Sequence, residues 1–160
     1  MNNEQAMVST AVAAWKQNVE RAEKLFFALD DTQLDAAIAP GKNRLIYLLG
    51  HLVAVHDGMR PLLFLGERLH PGLEAAFVAE ADRVVAEIPS ATELKAMWTE
   101  VHDSLLAGFA DLSPSDWASR HSVVSEADFA LNPLRNRLAI LLSRTSHIGY
   151  HLGQAQLAPR

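Results

Sequence analysis

The stretch VSTAVAAWKQNVERAEKLFFAL, residues 8–29, decides the fold class, because its apolar side chains recur at alternating spacings of four and three residues. These side chains are Val8, Val12, Trp15, Val19, Ala22, Phe26 and Leu29. The spacing places them along one face of an α-helix, and an apolar face of this length must pack against further helices. The stretch therefore predicts the first helix of a helical bundle.

A second helix is predicted after Pro40-Gly41, with Asn43 placed to cap its first turn. Its apolar positions are Leu45, Leu48, Leu52, Val55, Met59 and Leu62. Pro61 is expected to kink or shorten the end of this helix, because proline cannot donate the backbone hydrogen bond of a helix interior. The segment 66–89 contains Pro71-Gly72 and ends at a proline, which predicts a long crossover.

Two more helices are predicted in the second half of the chain. Ser90-Ala91-Thr92-Glu93 has the pattern of a capping box and predicts the start of the third helix, which Ser113-Pro114 should close. The stretch up to Leu131 is expected to be irregular. Asn132-Pro133 then predicts an N-cap followed by proline at the first position of the fourth helix. The apolar positions of the fourth helix are Leu134, Leu138, Leu141, Thr145, Ile148, Leu152 and Ala155.

The fold class predicted from these patterns is all-α. No stretch of appreciable length shows the alternation of a strand, and no internal repeat is found. We therefore expect residues 1–160 to form a single four-helix bundle domain with a long crossover between helices two and three. A chain of 160 residues can bury about 70% of its unfolded surface and needs no covalent staple.

Composition excludes several classes of function. The chain has no cysteine, so disulfides and thiolate metal sites are excluded. Its net charge is −5, and its 14 Lys and Arg residues form no basic cluster, which argues against a nucleic-acid partner. The first residues lack the features of a signal peptide, and the most apolar stretch, 45–55, is too short to span a membrane. We expect a soluble, cytoplasmic, bacterial protein that acts on a small-molecule substrate; a homodimer is compatible with the sequence.

The sequence HIGYH places His147 and His151 four residues apart, on one face of the fourth predicted helix. Both histidines border the apolar positions Ile148 and Leu152, so their rings should face the bundle interior. His51 borders the apolar positions of the second helix in the same way. We therefore predict that His51, His147 and His151 bind one divalent metal ion.

The other histidines fit this site less well. His56 follows His51 by five residues and would point about 140° away from it, at about 100° per residue. His70, His102 and His121 are expected to be surface residues. Glu67-Arg68-Leu69-His70 matches the Glu-x-x-His motif of di-iron bundles, but such a site needs a second copy of the motif and two further glutamates.

Two motifs together resemble the DinB-like superfamily. They are Tyr47-Leu48-Leu49-Gly50-His51-Leu52 and HIGYHLGQ, residues 147–154. The resemblance extends over essentially the whole chain in helix order. It implies an up-down-down-up bundle in which three histidines, matching His51, His147 and His151, bind a divalent metal, commonly zinc or nickel.

The resemblance also bears on the rest of the site. Gln154 matches the family pattern, whereas Tyr47 stands where many relatives carry tryptophan, which predicts a pocket of different shape. Characterised relatives include transferases and isomerases that use low-molecular-weight thiols such as mycothiol or bacillithiol. Many members have no known activity.

Three neutral imidazoles would leave the metal its full charge and an open coordination position, which is typical of catalytic sites. Because the chain has no cysteine, any thiolate must come from a cosubstrate. Helix spacing nominates pocket residues beside the histidines: Tyr47, Arg44, Ser143, Arg144 and Gln154. For Arg44 and Arg144, the alternative of a solvated or ion-paired helix residue is favoured by the general exposure of arginine.

The leading functional hypothesis is a metal-dependent enzyme that transfers a low-molecular-weight thiol to a small electrophile. A metal-dependent hydrolase and a non-enzymatic, metal-binding stress-response bundle are the alternatives. An apolar pocket that opens onto the metal would favour the enzymes, and a metal sealed under side chains would favour the bundle.

Overall fold

The computed structural model describes residues 2–158, and this part of the chain is helical without a strand. In chain order the helices are α1 (Asn3–Phe27), α2 (Asp31–Leu34), α3 (Leu45–Asp57), α4 (Met59–Leu62), α5 (Ala91–Ala110), α6 (Pro114–Ala118), α7 (Glu126–Leu131) and α8 (Arg137–Gln156). A π-helical turn, Ala75–Ala79, lies between α4 and α5. The predicted all-α class is confirmed.

The long helices α1, α3, α5 and α8 form the core. α1 packs mainly against α8, and α3 packs against α5, α8 and the π-helical turn. The face predicted for α1 is buried at Val8, Trp15, Val19, Ala22 and Phe26. In the described range, no helix combines the length and the apolar character needed to cross a bilayer.

α3 is buried on almost every side, because the other elements surround it. The predicted cap Asn43 is wrong by one residue: the N-cap is Arg44, whose side chain makes no capping bond. Instead, Asp82 accepts hydrogen bonds from the Arg44 backbone N–H at 2.8 Å and from its guanidinium at 2.7 Å. α3 ends at Asp57, and Pro61 lies within the short helix α4, in agreement with the early end predicted.

The crossover is fastened to both ends of α3. The buried carboxylate of Asp57 accepts hydrogen bonds from the backbone N–H groups of Leu69 and His70, both at 2.8 Å. Asp82 holds the other end of α3 through Arg44. These bonds place the π-helical turn directly against α3.

The second half of the chain differs in part from the prediction. The capping box of Ser90 and Glu93 is present at the start of α5. Ser113-Pro114 begins another helix, α6, and the stretch expected to be irregular also contains α7.

The predicted start of the fourth helix at Asn132-Pro133 is wrong, because α8 begins at Arg137 and its N-cap is Asn136. Asn132 instead ends α7, and its side chain accepts a hydrogen bond from the Leu134 backbone N–H. Leu134, expected in the apolar face, is consequently 77% exposed.

Candidate metal centre

Three imidazoles converge between α3 and α8. His51 Nε2 lies 3.2 Å from His147 Nε2, and His151 Nε2 lies 3.1 Å from the same atom. Each of the three rings offers a nitrogen within 4.8 Å of the others, and all three residues are half-buried. These side chains could hold a metal ion. Among residues 2–158, no second group of three such ligands is found.

The orientation of His51 is fixed by the crossover. Its Nδ1 lies 2.7 Å from the carbonyl oxygen of Phe77, in the π-helical turn. A carbonyl oxygen can only accept, so Nδ1 carries the proton and Nε2 presents a lone pair to the cluster. Phe77 reaches this position because residue 50 is glycine, where a Cβ would overlap the phenylalanine ring.

The orientation of His151 is fixed by the next turn of its own helix. His151 Nδ1 lies 2.8 Å from Gln154 Oε1, and Gln154 Nε2 donates to the Tyr150 hydroxyl at 3.0 Å. With the amide oriented in this way, Nδ1 donates and Nε2 of His151 also presents a lone pair. A hydrogen bond on the far ring nitrogen is the usual support of a metal-bound histidine.

The convergence fits a cation better than it fits hydrogen bonding alone. A single proton on His147 Nε2 would face two lone pairs and could serve only one of them well. Nitrogens bound to zinc at about 2.0–2.1 Å with tetrahedral angles lie about 3.3 Å apart, close to the separations seen. The donor set therefore fits a divalent ion that accepts imidazole nitrogen.

Burial favours the neutral form of two of the rings. Burial, together with smaller contributions from the His151 ring, the His51 ring and the Arg144 charge, lowers the pKa of His147 to about 4. Burial also lowers the pKa of His151, against the opposing hydrogen bond of Gln154. Both rings are thus unprotonated near neutral pH, as metal ligation requires.

A comparison with protein families identifies the family of the chain. The model of the DinB superfamily matches residues 14–155, a range that contains all three histidines. The chain belongs to the DinB superfamily. No curated protein sequence matches it.

Two of the pocket residues predicted for this DinB-superfamily protein contact the histidines. Tyr47 stacks on His51, with ring centroids 6.2 Å apart and planes 10° from parallel, and donates to the Glu80 carbonyl oxygen at 2.8 Å. Gln154 holds His151.

The other three predicted pocket residues have different surroundings. Arg44 is ion-paired with Asp82 and Asp35, each at 2.7 Å, which raises its pKa and gives it a structural role. Ser143 is exposed on α8. Arg144 lines a cavity of about 350 Å³ together with residues of α3 and α4.

The DinB-superfamily chain also contains a buried histidine pair that the sequence analysis missed. His56 Nδ1 lies 2.7 Å from His102 Nε2, and His102 Nδ1 lies 2.8 Å from the Trp98 carbonyl oxygen. The expectation that His102 is a surface residue is wrong, since it is 3% exposed. Its position one turn after Trp98 on the apolar face of α5 was the signal that could have revealed it.

The remaining histidines lie apart from the cluster. His121, also expected at the surface, is 9% exposed, because it is packed in the segment between α6 and α7. His70 binds Glu100 at 3.0 Å. Among residues 2–158, Glu67 and His70 belong to no group of three side chains that could hold a metal, so no di-iron site is found there.

Proposed function

We propose that this protein is a metal-dependent enzyme that transfers a low-molecular-weight thiol to a small electrophile. The observation that carries the proposal is the convergence of three imidazole nitrogens, from His51, His147 and His151, in a cluster that is only half-buried. We further propose that residues 1–160 form one domain, in which the long helices make an up-down-down-up bundle. Zinc and nickel are the metals that this site would take.

The protein would contribute a rigid set of neutral ligands. Phe77 and Gln154 hold two of the rings from behind, so that their Nε2 atoms stay directed at one point. A divalent cation bound there, with a position open beyond the three nitrogens, would lower the pKa of a thiol and supply a thiolate near neutral pH. Because the chain has no cysteine, the thiol must be a cosubstrate.

The transfer itself needs no redox partner. A bond forms between the thiol sulfur and the electrophilic carbon, and the bond from that carbon to the leaving group breaks, with its electron pair departing on the leaving group. The thiol proton goes to solvent. Tyr47, stacked on His51 and anchored to Glu80, would form a fixed wall for the reactants.

Partial exposure favours an enzyme over a bundle that uses metal only for stability. A structural site is closed by protein ligands and packing, whereas each histidine here keeps part of its surface accessible. A cavity also lies one helical turn away, bounded by Val55 of α3 and Arg144 of α8.

Thiol consumption tests the proposal. Zinc- or nickel-loaded protein is incubated with monochlorobimane and, in turn, cysteine, glutathione, bacillithiol and mycothiol, and the fluorescence of the thioether is followed. At least one thiol should react faster than with His147→Ala, while His70→Ala, in which a histidine outside the cluster is removed, should match the wild type. Equal rates for wild type and His147→Ala with every thiol would reject transfer and leave hydrolysis or metal binding alone.

A further inference from the structure

We infer that Arg144 and the cavity beside it form a subsite for a small organic carboxylate with an apolar body. The inference rests on the proposed function in one respect: the carboxylate would belong to the electrophilic substrate. The binding itself is a property of this subsite and does not depend on turnover.

Arg144 has no counter-charge among the residues that the structure describes. Its Nε is buried and has no hydrogen-bond partner in the range 2–158, and no carboxylate there forms an ion pair with it. By contrast, Arg44 is paired with two aspartates and Arg68 with Glu74. Burying an unpaired charge is costly, and burial indeed lowers the pKa of Arg144. A bound anion would remove this penalty.

The cavity has the lining that such a ligand needs. Ala54, Val55, Val78 and Val123 give it apolar walls, and its volume of about 350 Å³ is within the range of small-molecule sites. Glu74 also lines it, but Arg68 neutralises this carboxylate at 2.8 Å. The charge left over in the cavity is therefore that of Arg144.

The subsite begins about one helical turn from the three histidines, none of which lines the cavity. Val55 follows His51 by about one turn on α3, and Arg144 precedes His147 by about one turn on α8. One helical turn is about 5.4 Å along the axis. A molecule held by its carboxylate at Arg144 would thus have one end about one helical turn from the cluster.

Recognition by a guanidinium should discriminate by charge. A carboxylate can accept two parallel hydrogen bonds from arginine, whereas the neutral amide of the same shape cannot replace that charge. We expect the protein to prefer an aromatic or aliphatic carboxylate over the matching amide by at least tenfold in affinity.

Benzoate and benzamide provide a matched pair of probes. Their dissociation constants are measured by calorimetry on the zinc-loaded wild type, on Arg144→Gln and on Arg21→Gln, which removes an exposed arginine of α1 as a control for net charge. Arg144→Lys is a second variant that keeps the charge but lacks the two-pronged geometry. Zinc content and thermal melting are recorded for each variant, to establish that each one is folded and metal-loaded.

Benzoate should bind at least tenfold more weakly to Arg144→Gln and severalfold more weakly to Arg144→Lys, while Arg21→Gln should match the wild type. Benzamide should bind weakly and equally to all four proteins. No saturable benzoate binding to the wild type, or equal binding to Arg144→Gln, would overturn the inference. The inference would also be overturned if benzoate binding is lost on removal of zinc but is unchanged in the Arg144 variants. The carboxylate would then be a metal ligand.

This experiment separates the two proposals, because it contains neither a thiol nor an electrophile. If benzoate binding depends on Arg144 and no thiol is consumed in the bimane assay, the transferase proposal is rejected and the carboxylate subsite is supported. If a thiol is consumed in the bimane assay and benzoate binding does not depend on Arg144, only the inferred carboxylate subsite is rejected.

Discussion

The carbonyl oxygen of Phe77 lies 2.7 Å from Nδ1 of His51, and this contact joins the crossover to the histidine cluster. It exists because Phe77 packs onto Gly50, one residue before the histidine. A feature of the crossover, distant in sequence, therefore decides which nitrogen of His51 faces the other two rings.

Gly50→Ala should weaken both the fold and the site, because the new methyl group would displace the Phe77 ring and its carbonyl. Overpacking of this kind costs roughly 1–3 kcal/mol in the free energy of unfolding. The measurements are urea unfolding and zinc affinity by competition with a chromophoric chelator. Gly72→Ala is the control in the same crossover, since a Cβ there meets nothing within 4 Å. Equal behaviour of the two variants would contradict the role given to Gly50.

Gln154→Ala should lower zinc affinity about 10- to 100-fold, the usual effect of removing a partner of a ligand histidine. The reason is that His151 would lose the acceptor 2.8 Å from its Nδ1 and become free to rotate. Gln154→Glu should retain most of the affinity, because a carboxylate also accepts. Gln156→Ala, at the exposed end of α8, is the control. A Gln154→Ala variant with unchanged affinity would show that the ring needs no such support.

The buried pair His56 and His102 should make stability depend on pH. Burial lowers the pKa of His102 from 6.5 to about 4 and that of His56 well below its ordinary value, an effect to which the His102 ring adds. Between pH 6.5 and about 4 the unfolded state therefore binds more protons, and acidification favours unfolding. His102 alone should reduce the free energy of unfolding by about 2 kcal/mol between pH 7 and pH 5.

Urea unfolding of the metal-free protein at pH 7 and pH 5 checks this prediction. Chelation removes the pH dependence that a bound metal would add. His102→Gln should show a smaller difference between the two pH values than the wild type, and His70→Gln should not. If the pH dependence of His102→Gln equals that of the wild type, the pair is not the source.

Local sequence patterns were sufficient where one helix decides the outcome. The apolar face of α1, the capping box of Ser90 and the placing of His147 and His151 on one face of α8 each depend on spacings within a single helix. The grouping of these two with His51 was predicted from their shared position beside the apolar faces, and the structure brings the three together.

Contacts between distant segments could not be read in this way. Asn132-Pro133 has the pattern of a helix start, yet the chain makes a turn there, and Asn136 caps α8. The pairing of Arg44 with Asp82 and the packing of Phe77 on Gly50 depend on how the crossover folds back onto α3. Hydrophobic periodicity carries no information about that path. His56 and His102 likewise meet only because α3 packs on α5.

Metal stoichiometry tests the central claim most directly. The metal content of five proteins is measured by elemental mass spectrometry after expression with supplied zinc and purification without a nickel column. They are the wild type, His51→Ala, His147→Ala, His151→Ala and the control His70→Ala. The three cluster variants should lose most of the metal, while the wild type and His70→Ala should each contain one divalent ion per chain. Wild-type protein nearly free of metal, or a His147→Ala variant that retains a full equivalent, would contradict the assignment of the three histidines as a metal centre.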